Sequence, residues 1–96
     1  MAKSILQEDK ESCFLCGSSN WIEEHHVFGG YGKRQMSEKY GLKVYLCHYC
    51  HNEPPNGVHH NSETRQRLQQ IAQQRAMLRY RWTVDDFRFI FGKNYL

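Results

Sequence analysis

The chain has 96 residues, of which 24% are charged and 40% are hydrophobic, and its net charge is +3. This length fits one small domain, and a mean hydropathy of −0.80 makes apolar burial alone a weak source of stability. Because no apolar run has transmembrane length and the first residues lack the core of a signal peptide, we expect neither a membrane nor a secreted or fibrous protein.

The first half of the chain predicts two short strands. Residues 1–12 are polar and unpatterned, which predicts a frayed tail or a loose helical turn. The aromatic and β-branched residues of 20–28, which end at a glycine pair, predict the first strand. Ser37 is expected to cap a single helical turn that ends at Gly41. Alternation over 42–46 predicts a second strand, which leads directly into a cysteine pair.

The second half predicts helices. We expect one or two helical turns over 48–53, ended by a proline pair and an Asn-Gly turn. The pair Asn61-Ser62 offers an N-cap, and with an apolar face it predicts a long helix from 62 to about 80. Thr83 is expected to cap a last helix that ends before Gly92. The side chains expected to pack inward are Leu68, Ile71, Ala72, Leu78, Tyr80, Trp82, Phe87, Phe89, Ile90 and Phe91.

Four cysteines form two equally spaced pairs, Cys13-Phe-Leu-Cys16 and Cys47-His-Tyr-Cys50, which are separated by thirty residues. In a chain without a secretion signal this pattern favours a tetrahedral zinc site formed by four thiolates, with two disulfides or a redox-active pair as alternatives. Each short spacer lets two thiolates of one tight turn reach the same ion. Structural Zn2+ would also supply on the order of 10 kcal/mol of folding free energy. This would compensate for the weak stabilisation that apolar burial can give a chain of this composition.

All six histidines lie between residues 25 and 60, and they are His25, His26, His48, His51, His59 and His60. A zinc ion shared by the cysteine pairs would hold the first strand beside the segment after the second pair, so His25 or His26 can approach His51. Three imidazoles from such segments would form an open divalent-metal site of the catalytic kind. His48 lies between two zinc cysteines and is expected to point outward.

The order of these motifs resembles a known family. The first Cys-x-x-Cys is followed by Glu24-His-His-Val-Phe-Gly-Gly30, then by Leu46-Cys-x-x-Cys-His51 and by Gly57-Val-His59. This order is similar to that of the zinc-stapled HNH nucleases of the ββα-metal (His-Me finger) fold, in particular of short phage and prophage proteins akin to recombination-enhancement nucleases. The resemblance covers about half of the chain, from residue 13 to residue 61.

The resemblance implies an α+β fold and one HNH-like domain over 1–96. Its parts would be a tail (1–12), a small zinc-stapled ββα-metal core (13–61) and a C-terminal helical extension (62–96). It also implies a cytoplasmic protein, in the host cell if a phage encodes it.

Individual histidines take roles from the same resemblance. His25 matches a metal ligand, and His26 matches the general base that accepts a proton from water. His51 matches the ligand at the start of the family's helix, and His59 matches a further ligand, although the adjacent His60 could replace it. The implied cofactors are a structural Zn2+ on Cys13, Cys16, Cys47 and Cys50, and a second divalent metal (Zn, Ni, Mn or Mg) on His25, His51 and His59.

One position departs from the family pattern. Counting back from Cys47, the place of the asparagine that orients the base is taken by Leu42. Glu24 would share a strand face with His26 and could orient it, and a plain surface role is the alternative for this carboxylate. The departure favours the alternative function, which is a catalytically inactive zinc-stapled module that binds DNA or protein.

The function that the resemblance implies is a metal-dependent DNA endonuclease or nickase that hydrolyses phosphodiester bonds. Lys33 and Arg34 follow the glycine-rich turn and are the expected DNA contacts, because phosphate contacts give affinity without sequence preference. The expected partners are DNA and a recombinase filament or a phage DNA-processing protein. No segment resembles a base-reading helix, so we expect little sequence specificity.

Overall fold

The computed structural model describes residues 3–96, and Met1 and Ala2 lie outside that range. Strand β1 (Ile22–His26) and strand β2 (Lys43–Cys47) form a two-stranded antiparallel sheet among these residues. The pairing places Ile22 opposite Cys47 and His26 opposite Lys43. Helices follow and interrupt the strands, so the fold class is α+β.

Helix α1 (Lys33–Tyr40) connects the two strands and begins earlier than the sequence predicts. Ser37 does not cap it, because this residue lies buried in the middle of the helix. Its hydroxyl accepts a hydrogen bond from the backbone N–H of Phe28 and donates one to the Phe28 carbonyl. The predicted end at Gly41 is confirmed, since this glycine has the left-handed conformation that ends helices, with φ of 72°.

Three more helices follow β2. Helix α2 (His48–Asn52) begins immediately after the strand, α3 is Ser62–Tyr80 and α4 is Val84–Phe91. The predicted bounds of α3 and α4 are confirmed. The Asn61 side chain accepts a hydrogen bond from the Thr64 N–H, and Thr83 and Asp86 form a reciprocal capping box.

The core is formed mainly by buried residues of β2, α3 and α4 and of the segment that follows β1. Phe28 is fully buried, and its ring centroid lies 5.3 Å from that of Phe87 and 4.8 Å from that of Phe91. Two of the predicted core residues are wrong, because Leu78 is 79% exposed and Phe89 is 91% exposed. Both lie on helix faces that turn away from the core. None of the helices within residues 3–96 has the length and apolarity needed to cross a membrane.

The segment predicted as a frayed tail packs against β2 in its described part. The Ser4 hydroxyl donates a hydrogen bond to the Lys43 carbonyl, and the side-chain oxygen of Gln7 accepts one from the Tyr45 N–H. Leu6 is buried in the core. These contacts satisfy the free edge of β2, which the sequence pattern of 1–12 does not reveal.

Candidate metal and nucleic-acid site

The four cysteines form one cluster, which joins the segment before β1 to the end of β2 and to α2. Their sulfur atoms all lie within 4.8 Å of one another, and the Sγ atoms of Cys16 and Cys47 are 3.6 Å apart. A tetrahedral zinc ion with bonds of about 2.3 Å separates its sulfur ligands by roughly 3.8 Å. All four are free thiols, so the disulfide alternative does not describe this chain. The cluster could therefore bind one structural zinc ion.

The two cysteine pairs have the same local geometry. In each pair the first sulfur accepts a hydrogen bond from the backbone N–H of the second cysteine, at 3.4 Å for Cys13 and 3.5 Å for Cys47. Burial opposes ionisation of Cys13, but backbone N–H groups lower its pKa to about 7. Burial raises the pKa of Cys50, and the neighbouring sulfur atoms raise it further. Four thiolates here require a cation between them, and zinc fits this donor set.

Three histidines form a second cluster, in which His25 comes from β1, His51 from α2 and His59 from the loop after it. Each offers one ring nitrogen to a group whose atoms lie within 4.8 Å of one another. The Nε2 atoms of His51 and His59 are 3.0 Å apart. The position of His59 is fixed by its backbone N–H, which donates to the His51 carbonyl.

The buried nitrogen of His25 indicates what this cluster could hold. His25 is 6% exposed, and its Nε2 has no hydrogen-bond partner among the described residues. A buried polar atom without a partner is costly, so such an atom calls for an explanation such as an ion. Burial lowers the pKa of His25 to about 3, and the adjacent His51 and His59 lower it as well. The imidazole is therefore neutral, which is the form that binds a metal.

Glu23 is a site residue that the sequence analysis missed. Its carboxylate accepts hydrogen bonds from Nδ1 of His51 at 2.8 Å and from Nδ1 of His48 at 3.1 Å. The bond from His51 holds the pKa of Glu23 below its usual range, with a smaller contribution from His48. Because Glu23 and His25 share one face of β1, strand alternation was the signal that could have placed this carboxylate at the site.

His48 does not enter the histidine cluster. Its ring stacks on Trp21 with a centroid separation of 4.1 Å, and its Nε2 lies 3.1 Å from a carboxylate oxygen of Glu53. His60 also stays outside the cluster, since its backbone N–H donates to the Gly57 carbonyl and its side chain is exposed. The geometry therefore brings together His25, His51 and His59 and leaves His48 and His60 outside the cluster.

His26 points to the opposite face of β1 from His25, but both line one cleft. The cleft has a volume of about 260 Å³ and is lined by Glu24, His25, His26, Gly29, Arg34, His51 and His59. The two faces meet here because His26 is the last residue of β1. Of the two predicted DNA contacts, Arg34 lines this cleft and is exposed, whereas Lys33 begins α1 and is half-buried.

His26 also belongs to a third group of charged side chains, which includes Glu24, Glu38 and Lys43. Its Nε2 lies 2.9 Å from a carboxylate oxygen of Glu38 and 3.7 Å from one of Glu24. Lys43 is 2% exposed and donates hydrogen bonds to both oxygens of Glu38, at 3.1 and 3.0 Å. The expected orienting role of Glu24 thus has a closer competitor in Glu38.

Comparison with models of protein families, with curated proteins and with solved structures finds no match for this chain.

Proposed function

We propose that this protein is a metal-dependent DNA endonuclease or nickase of the HNH type, with His26 as its general base. The observation that carries the proposal is the buried, partnerless Nε2 of His25, which converges with His51 and His59 in the cleft that His26 also lines. An open group of three imidazoles beside a fourth histidine suits metal-assisted hydrolysis better than a purely structural role.

Each residue of the cleft would have its own role in the reaction. His25, His51 and His59 would hold a divalent ion, which would supply positive charge for the phosphate and the leaving oxygen. His26 would accept a proton from the attacking water, which then approaches phosphorus in line with the departing 3′ oxygen. Arg34, at the rim of the same cleft, would contact the phosphate backbone. Imidazole ligands favour Zn, Ni or Mn over Mg.

A second candidate function is a zinc-stapled module that binds DNA without cleaving it. It is favoured by Leu42, which stands where the HNH pattern has its asparagine and is fully buried in the core. A buried aliphatic side chain cannot donate a hydrogen bond to a base or to a substrate. In this case His26 would be an ordinary cleft residue.

Cleavage of supercoiled plasmid distinguishes the two functions. The nuclease should nick plasmid with Mn2+ or Ni2+, EDTA should stop the reaction, and His26→Ala should lose it while retaining DNA binding. His60→Ala is the matched control, because His60 is an exposed histidine next to the cluster but outside it. Plasmid binding without nicking by the zinc-loaded parent, with every added metal, would establish the binding module instead.

A further inference from the structure

We propose that Glu38 is the positioning residue for His26, and that buried Lys43 holds Glu38 in place. The geometry comes from the contacts among Glu24, His26, Glu38 and Lys43. The consequence for catalysis rests on the proposed nuclease function. The role that an asparagine has in the HNH pattern would come here from helix α1 rather than from Leu42, the residue just before β2.

The contact between Glu38 and His26 joins two separate elements. Glu38 lies in the last turn of α1, and its Oε1 is 2.9 Å from Nε2 of His26 at the end of β1. The equivalent distance to Glu24 is 3.7 Å, which is too long for a hydrogen bond. Of the two carboxylates beside His26, Glu38 is therefore the one that can fix the ring.

Lys43 gives this carboxylate a fixed position. It is paired with His26 across the sheet, and its ammonium group lies within 3.2 Å of oxygen atoms of both Glu24 and Glu38. Hydrogen bonds from His26 and Lys43 hold the pKa of Glu38 below its usual range, so this carboxyl group is ionised and can only accept hydrogen bonds. The Nε2 atom of a neutral His26 must then carry the proton.

The proton on Nε2 determines which nitrogen can act as base. A neutral imidazole has one lone pair, and donation from Nε2–H to Glu38 leaves that lone pair on Nδ1. Glu38 therefore selects both the tautomer and the rotation of the ring. A methionine at this position has no oxygen to accept the Nε2–H bond, so it should remove the preference for this tautomer.

Glu24, His26 and Glu38 could instead hold a metal ion, since their donor atoms lie within 4.8 Å of one another. The ammonium group of Lys43 argues against this reading. It already makes contacts of 3.0 to 3.2 Å with both carboxylates, and its side chain is almost fully buried. A metal between the same oxygens would repel this buried charge and remove its partners.

The test measures the His26 tautomer by ¹⁵N NMR of the zinc-loaded protein at pH 7.5, with His26→Gln used to assign the signals. The parent should show the Nε2–H form, and Glu38→Met should lose the preference for it. Glu24→Gln is the control and should keep the parent tautomer. If Glu38→Met fails to fold, combining it with Lys43→Met leaves no unpaired ammonium group, and the tautomer preference should again be lost.

The same variants give a kinetic readout. Glu38→Met should lower kcat by about 10- to 100-fold, the order of loss found when partners that orient metal-binding histidines are removed, with little change in KM. Glu38→Asp should recover part of the rate. A parent with the Nδ1–H tautomer, or a Glu38→Met variant with an unchanged tautomer, would overturn the proposal. A parent with the expected tautomer but no cleavage would reject the nuclease function and leave the Glu38 contact established.

Discussion

Glu23 and His51 form the shortest side-chain contact of the histidine cluster, with 2.8 Å between the carboxylate Oε1 and Nδ1 of the ring. If Nδ1 donates this bond, Nε2 of His51 is an acceptor that faces Nε2 of His59. A carboxylate behind a metal-binding histidine fixes its tautomer and raises its basicity. Glu23 would thus orient His51 for the proposed metal without itself contacting the ion.

Replacing Glu23 should weaken metal binding at the histidine cluster. Glu23→Gln should lower the affinity for Mn2+ or Zn2+ by about 10- to 100-fold, because the ring of His51 loses its fixed orientation. Calorimetric titration of protein that already holds one zinc measures this affinity. Glu53→Gln is the matched control, since Glu53 contacts His48 but not His51. Equal affinities for the parent and Glu23→Gln would show that the carboxylate has no part in metal binding.

The sulfur cluster should hold the structural zinc ion. Cys50→Ser or Cys16→Ser should release about one zinc per chain and abolish cooperative unfolding, because zinc binding and folding are coupled in small domains. Elemental analysis and urea unfolding followed by circular dichroism measure the two effects. Thiol titration of the native, reduced parent provides the opposing outcome: four freely reactive cysteines without zinc would rule out this site.

The neutral state of buried His25 should make stability depend on pH. The pKa of His25 is lowered to about 3 in the folded chain, whereas an unfolded histidine titrates near 6.5. The unfolded state therefore binds the extra proton first, and stability falls as pH decreases through the window below about 6.5. Between pH 7.5 and 5.5 we expect a loss of about 1.4 kcal/mol from this residue alone.

Urea unfolding of the protein with one zinc ion, at both pH values, measures the loss. His25→Leu should show a shallower pH dependence than the parent, and the difference between the two removes any contribution from zinc release. His60→Ala should behave like the parent, because that side chain is exposed. Identical pH dependence in the parent and His25→Leu would mean that His25 titrates normally.

Two phenylalanines of α4 provide a test of the core. Phe87 is fully buried against Phe28, whereas Phe89 is 91% exposed two residues later. Phe87→Ala should lower the free energy of unfolding by about 3 to 5 kcal/mol, and Phe89→Ala should change it by less than about 0.5 kcal/mol. Thermal unfolding of both variants with zinc present gives the comparison. Similar losses of unfolding free energy in the two variants would mean that α4 packs on the domain through a different face.

Local signals explain which elements could be predicted from the sequence. The bounds of α3 and α4 follow from Asn61, Thr83 and Gly92, whose capping roles depend only on neighbouring residues. The start of α1 was missed because its N-cap is Gly32, a left-handed glycine without a capping side chain, in a stretch that resembles a plain turn. The start of α1 depends on long-range packing, which the sequence pattern of 29–34 does not reveal.

The candidate site likewise has residues that local sequence signals predict and residues that only the folded domain reveals. Regular spacing reveals the cysteine pairs, and the crowding of histidines predicts that His25 or His26 approaches His51. The choice of His25 and His59 came from the family resemblance. Glu38 could not be found in this way, because its contact with His26 requires α1 to be a full helix that packs on β1. The buried state of Lys43 depends likewise on the whole assembled domain.

Cys50 and His51 are consecutive residues of α2, and each belongs to a different cluster. The backbone carbonyl of Cys50 also accepts the hydrogen bond from Val58 that leads the chain to His59. We therefore expect the proposed metals to bind in order, with zinc at the sulfur cluster stabilising α2 before the three imidazoles bind a second ion. The apparent affinity of the histidine cluster would then be its intrinsic affinity multiplied by the fraction of chains that have already bound zinc, so a low supply of zinc would leave both clusters empty.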